Sequence, residues 1–131
     1  MVEQVPVLIV DDHPGFRAAA AAVVGSCPGF TVAGEVATGE QAVDRIGSTG
    51  AALVLMDVSM PGIGGVEAAR RIRATHPHVV IVLLSADGAG DLATIAAGCG
   101  AHGCLPKQGF GRGELLRVWA GARPGRPRPG R

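Results

Sequence analysis

Apolar residues fall along this chain in short unbroken blocks, and between the blocks they recur every three or four positions. Val5 to Val10 (VPVLIV), Ala51 to Met56 (AALVLM) and Val79 to Leu84 (VVIVLL) are continuous runs. Runs of that length bounded by turn residues are the pattern of strands buried on both faces. Phe30 to Val36 alternates more, with Thr31 and Glu35 polar and Gly34 in the middle, and reads as an edge strand. Gly103-Cys104-Leu105 is a brief fifth strand.

The intervening stretches read as helices. Pro14 suits a first helical turn, and Phe16, Ala20, Val23 and Val24 then follow an amphipathic stripe that Gly25 and the Cys27-Pro28-Gly29 turn bring to an end. Thr38 with Gln41 forms a capping box for a helix carrying Ala42 and Ile46, with Gly47 expected to stop it. A third helix is expected from about Gly65, burying Val66, Ala69 and Ile72, showing Arg70, Arg71 and Arg73 to solvent, and ending before Pro77. Leu92, Ile95 and Ala96 mark a short helix in which Gly98 and Gly100 promise weak order, and 87–100 is expected to be the most mobile segment. Leu115, Leu116 and Trp119 line the last helix.

Five strand-then-helix units with apolar central strands predict an α/β domain, a doubly wound (βα)5 three-layer sandwich. The edge character of the second strand places it outside the first, giving a parallel sheet of order 2-1-3-4-5 with right-handed crossovers. The domain is expected over 1–120. From Gly121 onward the chain contains only Gly, Ala, Pro and Arg, so 121–131 is expected to be a disordered tail.

Composition narrows the function classes. Four of the twelve basic residues, Arg123, Arg126, Arg128 and Arg131, lie in that tail, so the body sets eight basic residues against eleven acidic ones. No basic face marks it as a nucleic-acid binder, and direct DNA binding by this chain is not expected. No apolar run approaches the roughly 20 residues of a membrane span, and Met1-Val2-Glu3-Gln4 opens no secretory signal, which makes the cytoplasm the default. Three cysteines without a framework spacing fit a reducing compartment. Lys occurs once, at Lys107, against eleven Arg.

If all five strands are parallel, Asp11-Asp12, Asp57, Ser85 and Lys107 emerge at one edge, because each follows its strand's last apolar residue. Neighbouring strands lie about 4.8 Å apart, so groups from the first, third and fourth can meet. Three carboxylates there repel one another, and a hard divalent cation relieves the repulsion. Mg2+ takes oxygen ligands and keeps several waters, so one or two of the acids plus a backbone carbonyl such as that of Ser59 suffice. The remaining Asp is then free to act as nucleophile towards a phosphoryl group, with Ser85 as hydroxyl donor and Lys107 as a point charge. The simpler readings are that Asp57 caps the Met60-Pro61-Gly62 turn, that Asp11-Asp12 cap a helix and that Lys107 is a solvated loop charge.

The set Asp11-Asp12, Asp57 within MDVSMPGIGG, Ser85-Ala86 and Lys107 resembles the receiver domain of two-component response regulators. VDDHPGFR and GAHGCLPK are most similar to the branch that usually carries a C-terminal helix-turn-helix, for which the eleven residues of the tail are too few. The resemblance covers roughly Val5 to Ala120 and implies a flavodoxin-like fold. It also implies a bacterial, cytoplasmic phosphoprotein that is no conventional enzyme, catalysing only its own phosphoryl transfer and autodephosphorylation. By that resemblance Asp57 accepts phosphate from a sensor histidine kinase, and Asp11 and Asp12 hold Mg2+ together with Asp57 and the Ser59 carbonyl. Lys107 pairs with the phosphate, Ser85 is the switch hydroxyl, and output is by conformational switching, with a homodimer and the downstream partner left open. One departure is Cys104, at a switch position where the family usually has Tyr or Phe; Tyr is absent from the whole chain.

Other functions fit less well. A phosphatase with an aspartyl nucleophile would want an acid where Ser59 stands. A cobalamin module would want a spacing that Asp11, His13 and Gly15 miss by one residue. Cys99, His102 and Cys104 offer only three zinc ligands without a usual spacing. The reading that stays open is a degenerate receiver acting as a phosphorylation-independent protein-interaction module.

Overall fold

The computed structural model of the chain describes residues 4–86 and 92–122. Its elements are β1 (Val5–Val10), α1 (Pro14–Ser26), β2 (Phe30–Val36), α2 (Gly39–Thr49), β3 (Leu53–Asp57), α3 (Gly64–Thr75), β4 (Val80–Ser85), α4 (Leu92–Cys99), β5 (Gly103–Pro106) and α5 (Arg112–Ala122). The strands form one sheet in the order β2-β1-β3-β4-β5, and every neighbouring pair is parallel. This is the flavodoxin-like arrangement, with helices on both faces.

The continuous apolar runs have a direct physical cause. Along β1, β3 and β4 successive side chains point to opposite faces, and each face is covered. Leu8, Val10, Val54, Met56, Ile81 and Leu83 pack with Ala42 and Ile46 of α2 and Ala68 and Ile72 of α3. Val7, Ile9, Leu53, Leu55, Val80 and Val82 pack on the other face with Ala20 and Val24 of α1 and Leu115 of α5. At about 1.5 to 3 kcal/mol for each fully buried Val, Leu or Ile, these two half-cores supply most of the drive to fold.

Several local expectations are corrected. Helix α2 runs past Gly47 to Thr49 and ends at Gly50, whose φ of 67° is the left-handed conformation that a C-terminal glycine supplies. In α3 the buried positions are Gly65, Ala68, Ala69 and Ile72, while Val66 and Arg73 are half-buried. Leu116 on α5 is 49% exposed; Val118 and Trp119 pack against the core instead, because Leu115 faces the sheet and its helical neighbours follow three and four residues later. Gly121 and Ala122 belong to α5, and the rest of the expected tail, 123–131, lies outside the described residues. So do 87–91, the first part of the segment expected to be mobile.

Glycine matters most at Gly65, in the first turn of α3. A Cβ there would overlap the carbonyl oxygen of Asp57, and the Gly65 N–H donates to Val58 O at 3.2 Å. Helix α3 therefore starts directly against the backbone at the end of β3. Gly65→Ala is expected to cost about 1 to 3 kcal/mol in denaturant unfolding by forcing that contact apart. Gly25→Ala, in α1 with open space around it, should instead gain up to about 1 kcal/mol in the same measurement.

Candidate functional site

Parallel strands deliver their C-terminal ends to one edge, and the expected residues meet there. Asp11 follows β1, Asp57 ends β3, Ser85 ends β4 and Lys107 follows β5. Asp11 and Asp57 are 0% and 2% exposed and are the only buried charged side chains among the described residues. The Lys107 ammonium lies 2.6 Å from Asp11 Oδ2 and 3.3 Å from Asp57 Oδ2, so it bridges the two acids. Its own backbone N–H donates to Ser85 O at 2.8 Å, which fixes the loop after β5 to the end of β4. Asp12 sits at the rim, and the exposed ring of His13 places Nδ1 3.1 Å from Asp12 Oδ1 and 3.2 Å from Asp11 Oδ1.

The backbone around these groups is held by contacts that lie far apart in sequence. Asp57 Oδ1 accepts from the Ser59 N–H at 3.2 Å, orienting the carboxylate. The loop beyond it is fastened to α2, where the Glu40 carboxylate accepts from the Ile63 N–H at 3.2 Å and packs against Gly62, whose φ is 82°. On the other side, Arg17 Nη1 donates to the Asp11 carbonyl at 2.6 Å while its Nε lies 3.8 Å from Glu35. Neither Glu40 nor Arg17 was expected as a site residue. Arg17 lies on the same face of the helix as Ala20 and Val24, half-buried, which is an unusual place for an isolated charge, but nothing local marks Glu40.

The electrostatics follow from burial. Loss of water raises the pKa of Asp57 above its ordinary 3.8; the Ser59 N–H opposes this, the Asp11 charge adds to it, and Lys107 opposes it. For Lys107, burial alone would lower the pKa, but its hydrogen bond to Asp11 and the charges of Asp57 and Asp11 outweigh that and raise it above 10.5. Three carboxylates against one ammonium leave two negative charges in excess. Asp11 Oδ2, Asp12 Oδ1 and Asp57 Oδ2 are buried and accept no well-directed hydrogen bond, so the contacts to Lys107 and His13 leave lone pairs unused. Ligand atoms of Asp11, Asp12, His13 and Asp57 lie within 4.8 Å of one another. Oxygen-rich, doubly negative and under-satisfied, this cluster fits a divalent cation.

Residues 7–118 match the response regulator receiver domain family. The chain belongs to that family. It is 35% identical over 121 residues to the response regulator GacA of Pseudomonas protegens, covering 89% of this chain and 56% of that protein. To the response regulator UvrY of Escherichia coli it is 40% identical over 101 residues, covering 77% of this chain and 46% of that protein. The chain therefore spans about half the length of these relatives. Among solved structures, the receiver domain of the putative response regulator NarL from Mycobacterium tuberculosis superimposes with a TM-score of 0.84 at 29% identity, covering 95% of this chain and 99% of that one.

Within this receiver the remaining candidates fall as follows. Ser85 is half-buried at the end of β4, paired with Pro106. Cys104 is half-buried in β5 and packs on the α2–α3 side of the sheet. Cys99 is buried in α4, and His102 accepts from the Ile81 N–H at 3.1 Å; these residues form no metal cluster with Cys104 among the described residues. No helix among the described residues is long and apolar enough to cross a membrane.

The raised pKa of Asp57 has a definite sign for stability. The folded state holds the proton more tightly than the unfolded one, so the charge on Asp57 costs nothing below about pH 3.8. The cost grows as pH rises towards the folded pKa and is constant above it. Asp57→Asn should therefore melt higher than the wild type at pH 7 in chelator, with the difference shrinking to nothing near pH 3.8.

Proposed function

We propose that this receiver accepts a phosphoryl group on Asp57 from a sensor histidine kinase and passes the signal on by a shift between two conformations. The observation that carries this reading is the Asp57 carboxylate itself, buried at the sheet edge with Oδ1 oriented by the Ser59 N–H and Oδ2 facing the chain's one lysine. Oδ2 attacks phosphorus, and the bond from phosphorus to the donor breaks, its electron pair leaving with the donor. The product is an aspartyl phosphate.

Asp11, Asp12 and Asp57, with the Ser59 carbonyl, would hold Mg2+, which when bound supplies charge neutralisation for the phosphoryl oxygens. Lys107 does the same from the protein side: displaced from Asp57, its ammonium pairs with a phosphoryl oxygen while Asp11 keeps it anchored. Ser85 offers a hydroxyl at the neighbouring strand end, and a charge-assisted hydrogen bond of roughly 1.5 to 3 kcal/mol biases a two-state loop by about tenfold or more. The response is expected at Ala86, which follows β4, and in α4.

A second reading has one observation in its favour: Cys104 leaves no ring in β5 to follow the Ser85 hydroxyl, as a phosphorylation-independent interaction module would tolerate. Incubation with acetyl phosphate and Mg2+ followed by intact-mass measurement separates the two. The phosphoacceptor reading expects one phosphoryl adduct that Asp57→Ala abolishes; an unmodified wild type supports the second. Millimolar Mg2+ alone should raise the melting temperature by about 2 to 5 °C through relief of carboxylate repulsion. Asp12→Asn should remove most of that rise, and an unchanged melting curve for both proteins would count against the metal ligands named here.

A further inference from the structure

Lys107 is the only lysine in the chain, and its ammonium is enclosed by two unlike surfaces. Asp11 Oδ2 and Asp57 Oδ2 form one, at 2.6 and 3.3 Å. The ring of Phe16, in the first turn of α1, forms the other, its centre 4.8 Å from Nζ with the cation over the ring. A cation there is drawn to the negative face of the aromatic quadrupole.

The ring is itself held in place. Phe16 packs against the half-core under α1, and its other neighbour is Phe110, with ring centres 6.3 Å apart and planes tilted by 51°. Phe110 is tied back to the lysine, because its N–H donates to Lys107 O at 3.1 Å. Lys107 and the two rings thus make one unit joining α1 to the loop after β5. Besides the packing that it supplies under α1, the Phe16 side chain presents its ring face to the ammonium.

We propose that Phe16 is a positioning residue for Lys107: its ring walls the ammonium off from water and keeps it aimed at the Asp57 carboxylate. Lysine has a flexible stem and a strongly hydrated head, and left to solvent it would sample many positions. Walled by a ring, the ammonium stays partly desolvated and acts at full strength on the oxygens opposite. The inference rests on the phosphoacceptor reading of Asp57, since the phosphoryl oxygen is what Lys107 is aimed at. It also places the aromatic contact of this site on α1, on the opposite face of the sheet from Cys104.

A chain labelled with 13C-lysine gives a single set of side-chain signals, so Lys107 can be observed directly. The ε-methylene protons are expected upfield of free lysine through the ring current, to stay upfield in Phe16→Tyr and to return towards the free position in Phe16→Leu. Phosphorylation by acetyl phosphate at saturating Mg2+ should slow by about three- to thirtyfold in Phe16→Leu, with Phe16→Tyr recovering most of the rate. Loss of packing alone would also slow Phe16→Leu more than Phe16→Tyr, and the upfield position of the wild-type Lys107 signals is the readout that packing does not move. A wild-type Lys107 signal at the free-lysine position overturns the proposal, and so does a Phe16→Leu rate equal to that of the wild type. A wild type that takes up no phosphate sinks the Asp57 reading instead, and the lysine signal tells the two failures apart because it needs no phosphoryl donor.

Discussion

One ammonium stands between two buried carboxylates at the end of a parallel sheet, and much of the molecule is arranged to keep it there. Lys107 reaches Asp11 and Asp57 because β1 and β3 are neighbours and β5, two strands beyond β3, ends at the same edge. Removing a charge from water costs several kcal/mol, and a single lysine cannot compensate three acids, so the site is held short of neutrality by the fold itself. That deficit is what makes the edge receptive to a divalent cation. Burial, with the Asp11 charge added to it, makes Asp57 reluctant to carry its charge in the cation's absence. Stability and reactivity at this edge therefore pull in opposite directions, and the two apolar half-cores make up the difference.

The sequence made the framework legible because burial leaves a strong mark on composition. β1 and β2 have the limits that their apolar runs indicate, and β4 is displaced by a single residue at each end, Val80–Ser85 in place of Val79 to Leu84. The strand order followed from the polar interruptions of β2, and the gathering of Asp11, Asp12, Asp57 and Lys107 followed from strand direction alone. Thr38 caps α2 as its spacing suggested, accepting from the Gln41 N–H at 3.1 Å, although the returning Gln41 carbonyl reaches Ala37 N–H at 2.9 Å rather than that of Thr38. What stayed hidden depends on contacts between distant elements. Glu40 meets Ile63 across 23 residues of chain, and no local pattern announces a carboxylate that fastens another unit's loop. Gly47 and Gly50 look equally able to end a helix until the backbone selects the one with positive φ.

The two faces of the sheet are not equivalent around the site. On the α1–α5 side, Phe16 and Phe110 pack within reach of the lysine; on the α2–α3 side, Cys104 leaves that strand without a ring. Around the site the aromatic contacts therefore lie on one side of the sheet, where the two rings join α1 to the residues that follow β5. The Glu40 tie on the opposite side is polar and exposed, and is correspondingly weaker in water.

The margins of the sheet have a consequence of their own. The register of β2 against β1 slips opposite Val7 and Leu8 of β1, leaving Ala33 of β2 as an extra residue beside Gly34 and the exposed Glu35. At the far margin β5 is four residues long and finishes on Pro106, which has no N–H to offer. A bulged strand carrying a charge and a short one closed by proline are both poor templates for a strand from another molecule. Neither rim of the sheet invites extension into a larger sheet or a fibril. Recognition by other chains is thereby left to the helices and to the loops around the acidic edge.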